Sequence, residues 1–308
     1  MSLPAGPTSG RLARHFLAGR PDRPDLVAKA LASEADALFL DFEDACPPRK
    51  RAQGRRDLIA ALASAPIGHG KTVLVRCNPP DSTDGPADLG ACVRSGVRSI
   101  IYPKMEEVSD VFRAEEALEG AEREHGLAHG EVALWLMVET ARGVVNLGAM
   151  LAAATRPVDG VFVGPGDLSS SLRLPQIRGG YINLNHEIIW HCRMQAAVVA
   201  RAYGVNHLIT AAYERSNAFD AIRAVAVRAF EMGYTGVEIQ SPRHVHLVDD
   251  AWSPALTDLA HAQRVVDAFE ASLASDGDGV VLVGDQGIQR PMYEAARLML
   301  AQGTGSSM

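Results

Sequence analysis

Short apolar runs rich in β-branched residues recur along the chain, each giving way to a polar or Gly/Pro break and then to a longer stretch with helical spacing. Eight runs predict strands: His15 to Ala18, Ala37 to Phe42, Thr72 to Cys77, Ser99 to Tyr102, Ala133 to Val138, Gly160 to Val163, Asn206 to Thr210 and Gly236 to Ile239. Between them, stretches such as RPDLVAKALASE, RRDLIAALASA and IIWHCRMQAAVVARAYG carry apolar residues at helical spacing, and two of these helical stretches stop at Gly204 and Gly233. Eight strand-helix alternations are the count that closes an α/β (β/α)8 TIM barrel. Leu256 to Leu273 reads as the eighth helix, which puts the barrel domain at 11–275. The segment VVLVGDQGIQRPMYEAARLML predicts a hairpin plus a helix, a C-terminal extension over 276–302. It is too small to bury a core of its own, so it is expected to dock on the barrel or on a neighbouring subunit.

Composition narrows the class. The 308 residues are 47% hydrophobic and 22% charged, and no apolar stretch reaches bilayer length. A membrane span, a collagen-like repeat and a disordered chain are excluded on that pattern. A net charge of −7, from 37 acidic and 30 basic residues without a basic run, argues against nucleic acid and anionic membrane as partners. Cys46, Cys77, Cys92 and Cys192 form no CxxC pair and sit in or beside apolar segments, as buried free thiols do. The first residues lack the apolar core of a signal peptide, so a cytoplasmic location is expected.

Candidate chemistry lies at the C-terminal ends of the predicted strands, the face that carries the active site of such barrels. The second strand runs into Glu43 and Asp44, the third into Arg76 and Asn78, the fourth into Lys104, the fifth into Glu139 and Thr140, and the sixth into Gly164, Pro165, Gly166 and Asp167. Glu139 and Asp167, two carboxylates from adjacent strands, suit a hard divalent cation, above all Mg2+. Arg76 offers a permanent charge for a carboxylate or a developing oxyanion. The glycines of GPGDLSSSL let backbone N–H groups approach a substrate carboxylate, which makes Pro165, Gly166 and Asp167 candidate substrate-binding residues beside Arg76. Among weaker signals, His244 and His246 read as loop histidines, and Arg173, Arg178 and Tyr181 lie in a long insertion that either covers the barrel mouth or caps it.

The segments FLAGRPDRPDLVAKALASEADALFLDFEDACPP, VRCNP, IYPKME, VETARGVVNL, VFVGPGDLS and VVLVGDQGIQRPMYEAARLML, spread over nearly the whole chain, resemble the HpcH/HpaI aldolase and citrate lyase β-subunit family, which includes malyl-CoA and citramalyl-CoA lyases. The resemblance implies a barrel that assembles as a homotrimer or a larger multiple such as a hexamer. It also implies Mg2+ dependence and cleavage of a 3-hydroxyacyl thioester into acetyl-CoA and a 2-oxo acid. It assigns Glu139 and Asp167 as metal ligands, Arg76 as the catalytic arginine, and Glu43 and Asp44 as the family's ED pair, which orients metal waters or the arginine. Lys104 matches a P-K element.

The chain also departs from the pattern. Where many relatives place an aspartate in an MVD-x-P tail, this chain has Gln289, which cannot exchange a proton at neutral pH. Relatives carry GK and IHP around the eighth strand, against Gly236-Val237 and Gln240-Ser241-Pro242 here, and an aspartate near Ile209 or Thr210. The metal-site pattern is kept while the thioester side is altered. Three readings therefore stand: a Mg2+-dependent carbon–carbon lyase for a citryl-, malyl- or citramalyl-CoA-like substrate, an aldolase for free 4-hydroxy-2-oxo acids, and a non-catalytic barrel subunit that binds Mg2+ and a 2-oxo acid.

Overall fold

The eight predicted strands close on themselves. A computed structural model describes residues 13–64, 71–178, 181–212, 217–253, 256–275 and 280–304. Its strands in chain order are β1 (His15–Gly19), β2 (Ala37–Asp41), β3 (Thr72–Arg76), β4 (Ser99–Tyr102), β5 (Ala133–Val138), β6 (Val158–Val163), β7 (Ile177–Arg178), β8 (Tyr181–Ile182), β9 (His207–Ala211), β10 (Gly236–Ile239), β11 (Val280–Val283) and β12 (Gln286–Gln289). The barrel order is β1-β10-β9-β6-β5-β4-β3-β2, all pairings parallel, while β7-β8 and β11-β12 are separate antiparallel ladders. The helices are α1 (Pro24–Leu31), α2 (Pro48–Ser64), α3 (Gly85–Arg94), α4 (Val108–Glu124), α5 (Ala141–Ala153), α6 (Pro165–Ser171), α7 (Glu187–Ala202), α8 (Phe219–Glu231), α9 (Val245–Trp252), α10 (Leu256–Ala274) and α11 (Arg290–Thr304). Among the described residues no helix is long and apolar enough to cross a membrane.

Alternate residues of each strand face the barrel interior, and there Phe16, Phe39, Leu74, Trp135, Met137, Phe162 and Ile209 form one buried cluster. Edge-to-face contacts, Phe16 with Trp135 at 5.8 Å and Phe39 with Phe162 at 5.3 Å, fill the interior. Gly160 makes room for this: a Cβ there would stand 2.3 Å from the Trp135 ring. All four cysteines are free and buried.

The chain divides into two compact units after Val248. The hydrophobic pattern reads α10 as the eighth barrel helix and sets the boundary at 275/276, yet α10 falls with the tail. The reason is packing, since Val265, Val266 and Phe269 of α10 bury against Ile288, Tyr293 and Ala296. The Phe269 and Tyr293 rings stack 4.7 Å apart. The tail therefore has a core, shared with α10.

Candidate active site

A cavity of about 400 Å³ opens at the C-terminal ends of the strands, lined in part by Phe39, Asp41, Asp44, Arg76, Met137, Glu139, Phe162, Gly164, Pro165, Gly166, Asp167 and Glu238. It rests on the interior cluster, with which it shares Phe39, Met137 and Phe162. At its centre the buried Arg76, last residue of β3, donates from Nε and Nη2 to the two oxygens of Asp41, last residue of β2, both at 2.7 Å. The register places these two residues directly opposite each other. Nη2 also donates to Asp44 at 3.2 Å, while Nη1 lies 3.3 Å from Glu43 and 3.7 Å from Glu139. The two-pronged edge of the guanidinium, which the sequence reading offers to a substrate, is thus occupied by Asp41. Nη1, the nitrogen not taken by Asp41 or Asp44, donates to Met137 Sδ at 3.5 Å on the cavity wall.

Asp41 also shapes the turn that follows it, accepting from the N–H groups of Glu43 at 2.9 Å and Ala45 at 2.8 Å. One carboxylate thereby fixes both the arginine and the Glu43-Asp44 pair. Lys104 closes the cluster from β4. Its Nζ meets Glu43 at 2.5 Å and Asp167 at 3.1 Å, and its backbone N–H donates to Glu139 Oε1 at 3.0 Å. Lys104 holds φ at 51°, a left-handed conformation that costs a lysine roughly 1 kcal/mol and that these contacts retain.

Glu139 follows β5 and is 2% exposed, so it stands inside the cavity wall rather than in the open mouth. Gly164 allows this, because a Cβ there would come within 2.8 Å of Glu139 Oε2. Pro165 and Gly166 open α6, and no atom lies within 4 Å of where a Gly166 Cβ would be, which leaves that backbone bare to the cavity.

Carboxyl groups outnumber cations at the site, and the proton affinities record it. Burial pushes Glu139 up to about 7, against the pull of Arg76 and with the help of Asp167. Burial likewise pushes Glu238 up to about 7, Arg76 opposing and Asp41 assisting. Burial raises Glu43 as well, whereas the more exposed Asp44 is held low, Arg76 outweighing its partial desolvation. Burial opposes the Arg76 charge, but Asp41 and the neighbouring carboxylates keep it firmly protonated.

This donor set fits a hard divalent cation. Asp167 Oδ2 is buried without an aligned hydrogen-bond donor, despite its contact with Lys104, and burial together with the Asp167 charge raises the proton affinity of Glu139, which a cation would offset. Among the described residues no three His, Cys, Asp or Glu side chains gather as a ready-made metal site. Glu139 and Asp167 alone would serve, leaving the other positions to water and substrate, as Mg2+ favours.

The structure brings Glu43, Asp44, Arg76, Lys104, Glu139 and Asp167 together, with Pro165 and Gly166 at the rim. Arg173 is exposed, and the side chains of Arg178 and Tyr181 lie outside the described residues. His244 and His246 sit in a helical turn and at the start of α9, not on an extended segment, with His244 buried and His246 exposed. Gln289 is exposed at the end of β12. Two residues escaped the sequence reading. Asp41 reads as the end of an apolar strand and Glu238 as one polar position in GVEIQSP, yet period two along Ala37-Phe39-Asp41 and Gly236-Glu238 would have turned both inward.

Comparison with known proteins agrees with this geometry. The profile of the HpcH/HpaI aldolase/citrate lyase family matches residues 15–242. The citrate lyase subunit beta of Escherichia coli (strain K12) is 28% identical over 277 residues, covering 90% of this chain and 88% of its own. The L-malyl-CoA/beta-methylmalyl-CoA lyase of Rhodobacter capsulatus is 26% identical over 293 residues, covering 90% of this chain and 91% of its own. Among solved structures, a citrate lyase beta subunit from M. tuberculosis complexed with oxaloacetate and magnesium superposes with a TM-score of 0.64 at 26% identity, covering 79% of this chain and 99% of that one. With a family match that spans the whole barrel, the chain belongs to the HpcH/HpaI aldolase/citrate lyase family and so to the carbon–carbon lyases.

Proposed function

We propose that the protein is a Mg2+-dependent lyase that cleaves a 3-hydroxyacyl-CoA ester into acetyl-CoA and a 2-oxo acid. The observation that carries this reading is the meeting of Glu139, Asp167 and Arg76 in one cavity, with Arg76 Nη1 3.7 Å from Glu139. Glu139 and Asp167 would hold the cation, which when bound would supply Lewis-acidic charge that makes the substrate hydroxyl more acidic.

The protein's own groups do the rest. Glu43, whose Oε2 takes no hydrogen bond and whose proton affinity burial has raised, accepts the hydroxyl proton. The bond between the carbinol carbon and the methylene then breaks, its electron pair moving onto the thioester as an enolate. Arg76 Nη1 faces the developing oxyanion. Because Asp41 has already fixed the guanidinium, that charge is presented without reorganisation. Return of that proton from Glu43 to the enolate carbon gives the acetyl product and restores the base. Met137 and Phe162 exclude water from the inner wall.

In this reading the protein works as a homo-oligomer, a trimer or a multiple of it. The support is the apolar surface left on its second unit, where Val280 and Leu282 on one face of β11 are 53% and 71% exposed.

The test is to incubate purified protein and Mg2+ with malyl-, citramalyl- and citryl-CoA, following acetyl-CoA, and with free 4-hydroxy-2-oxo acids, following pyruvate. Acetyl-CoA release supports the proposal. Pyruvate release alone replaces it with the free-acid aldolase, and Mg2+ binding without any turnover returns the non-catalytic reading.

A further inference from the structure

Glu238 is the carboxyl that the charge cluster does not use. Asp41, Glu43 and Asp44 meet Arg76 or Lys104, and Glu139 and Asp167 form the candidate cation site. Glu238 stands on β10 opposite Ala211 of β9 and Phe16 of β1, is 4% exposed, and lines the cavity. Among the described residues none hydrogen-bonds or ion-pairs with its carboxyl. Phe39, Met137, Phe162 and Ala211 line the same cavity, and Arg76 and Asp41, also in its lining, act on the Glu238 carboxyl through space without a hydrogen bond to it.

A buried polar group without a partner is costly, and it discriminates strongly among ligands according to whether they satisfy it. The carbinol carbon of the proposed substrate carries a carboxylate, a hydroxyl, the arm to the thioester and one more substituent. The carboxylate and hydroxyl face Glu139 and Asp167. The coenzyme A arm exceeds a cavity of about 400 Å³ and must leave by the mouth. The fourth substituent is left against the inner wall, where Glu238 is the uncommitted polar group. A methyl there would seal Glu238 without a partner, and a carboxymethyl would set a second carboxylate beside it. A hydroxymethyl donates to the carboxylate or accepts from the carboxylic acid, and satisfies it in either form.

We propose that Glu238 is the specificity-determining residue of this cavity, and that the acid it selects carries a hydroxyl on the substituent facing β10, so that the released product is a hydroxy-2-oxo acid. This rests on the lyase reading above. Burial leaves Glu238 near the midpoint of its titration at neutral pH, able to donate or accept.

The experiment is calorimetric titration of the Mg2+-loaded protein with 3-hydroxypyruvate, pyruvate and oxaloacetate, repeated on Glu238→Ala and Glu238→Gln. Wild type should bind 3-hydroxypyruvate about tenfold more tightly than pyruvate, the effect of one buried hydrogen bond, and oxaloacetate least well. Glu238→Ala should abolish the preference for the hydroxyl. Equal binding of the first two acids by wild type, or a preference that survives in Glu238→Ala, overturns the inference and leaves the lyase reading standing. If no acid binds in the presence of Mg2+, the lyase reading fails and this inference with it. Should the alanine variant not fold, the nearly isosteric Glu238→Gln decides: it should bind oxaloacetate about tenfold more tightly than wild type, and unchanged affinity overturns the proposal.

Discussion

Asp41 and Arg76 face each other across the β2-β3 seam and share two hydrogen bonds of 2.7 Å, both side chains almost fully buried. Because the same carboxylate accepts the N–H groups of Glu43 and Ala45, the pair joins the electrostatics of the cavity to the path of the loop beside it. Removing Asp41 leaves a buried guanidinium without its principal partner. Asp41→Ala should lower unfolding stability by about 3 to 5 kcal/mol, the usual cost of breaking a buried pair from one side. Urea denaturation checks this, and a loss below about 1 kcal/mol would show that Asp44 and Glu43 suffice to hold Arg76.

Arg76→Lys keeps a positive charge but cannot grip Asp41 with one edge and present another to the cavity. Under the proposed function, kcat/KM should fall by about a hundredfold or more, the size expected for an oxyanion contact. Steady-state kinetics near wild type would remove Arg76 from the reaction.

Asp167→Ala and Glu139→Gln should each abolish Mg2+ binding in calorimetric titration while leaving thermal unfolding close to wild type. The charge of each carboxylate is not needed for the fold: Asp167 Oδ2 lacks an aligned donor, and burial already works against the Glu139 charge. Unchanged affinity in both variants would sink the assignment of the cation site.

Glu238 should leave a signature in stability against pH. Its folded-state pKa lies at about 7, raised by burial from an ordinary 4.5. Between those values the folded protein keeps a proton that the unfolded chain has released, so its contribution to stability falls as pH rises and levels off above about 7. At about 1.4 kcal/mol per pKa unit, the loss amounts to as much as roughly 3 kcal/mol. Glu238→Gln should remove this slope and melt higher than wild type at pH 8, with little difference near pH 4.5. Parallel melting curves at both pH values would show that the carboxyl is solvated in the folded state.

The tail should govern assembly. Truncation after Ser275 removes Ile288 and Tyr293 from the cover of Phe269 and takes away the exposed face of β11. Light scattering should show an oligomer for the intact protein and a smaller species after truncation. A monomer at micromolar concentration in the intact chain would defeat the oligomer proposal.

The barrel was legible in the chain because a parallel strand buried on both faces has to be a short, nearly continuous apolar run. Ser99–Tyr102, Ala133–Val138 and Gly236–Ile239 were delimited to the residue by that requirement. Glu43, Arg76, Lys104, Glu139 and Asp167 were legible for a related reason, since a charged residue ending such a run must face the open end of the barrel. Hydrophobic patterning could not assign α10 to a unit, because an amphipathic helix shows that it buries a face but not against what; only the packing of Phe269 on Tyr293 placed it with the tail. Nor could it pair Asp41 with Arg76 across 35 positions or leave Glu238 buried in the same cavity without a hydrogen bond. Strand register, barrel closure and burial decide which charges meet and which stay unpaired, and these exist only once the chain has folded.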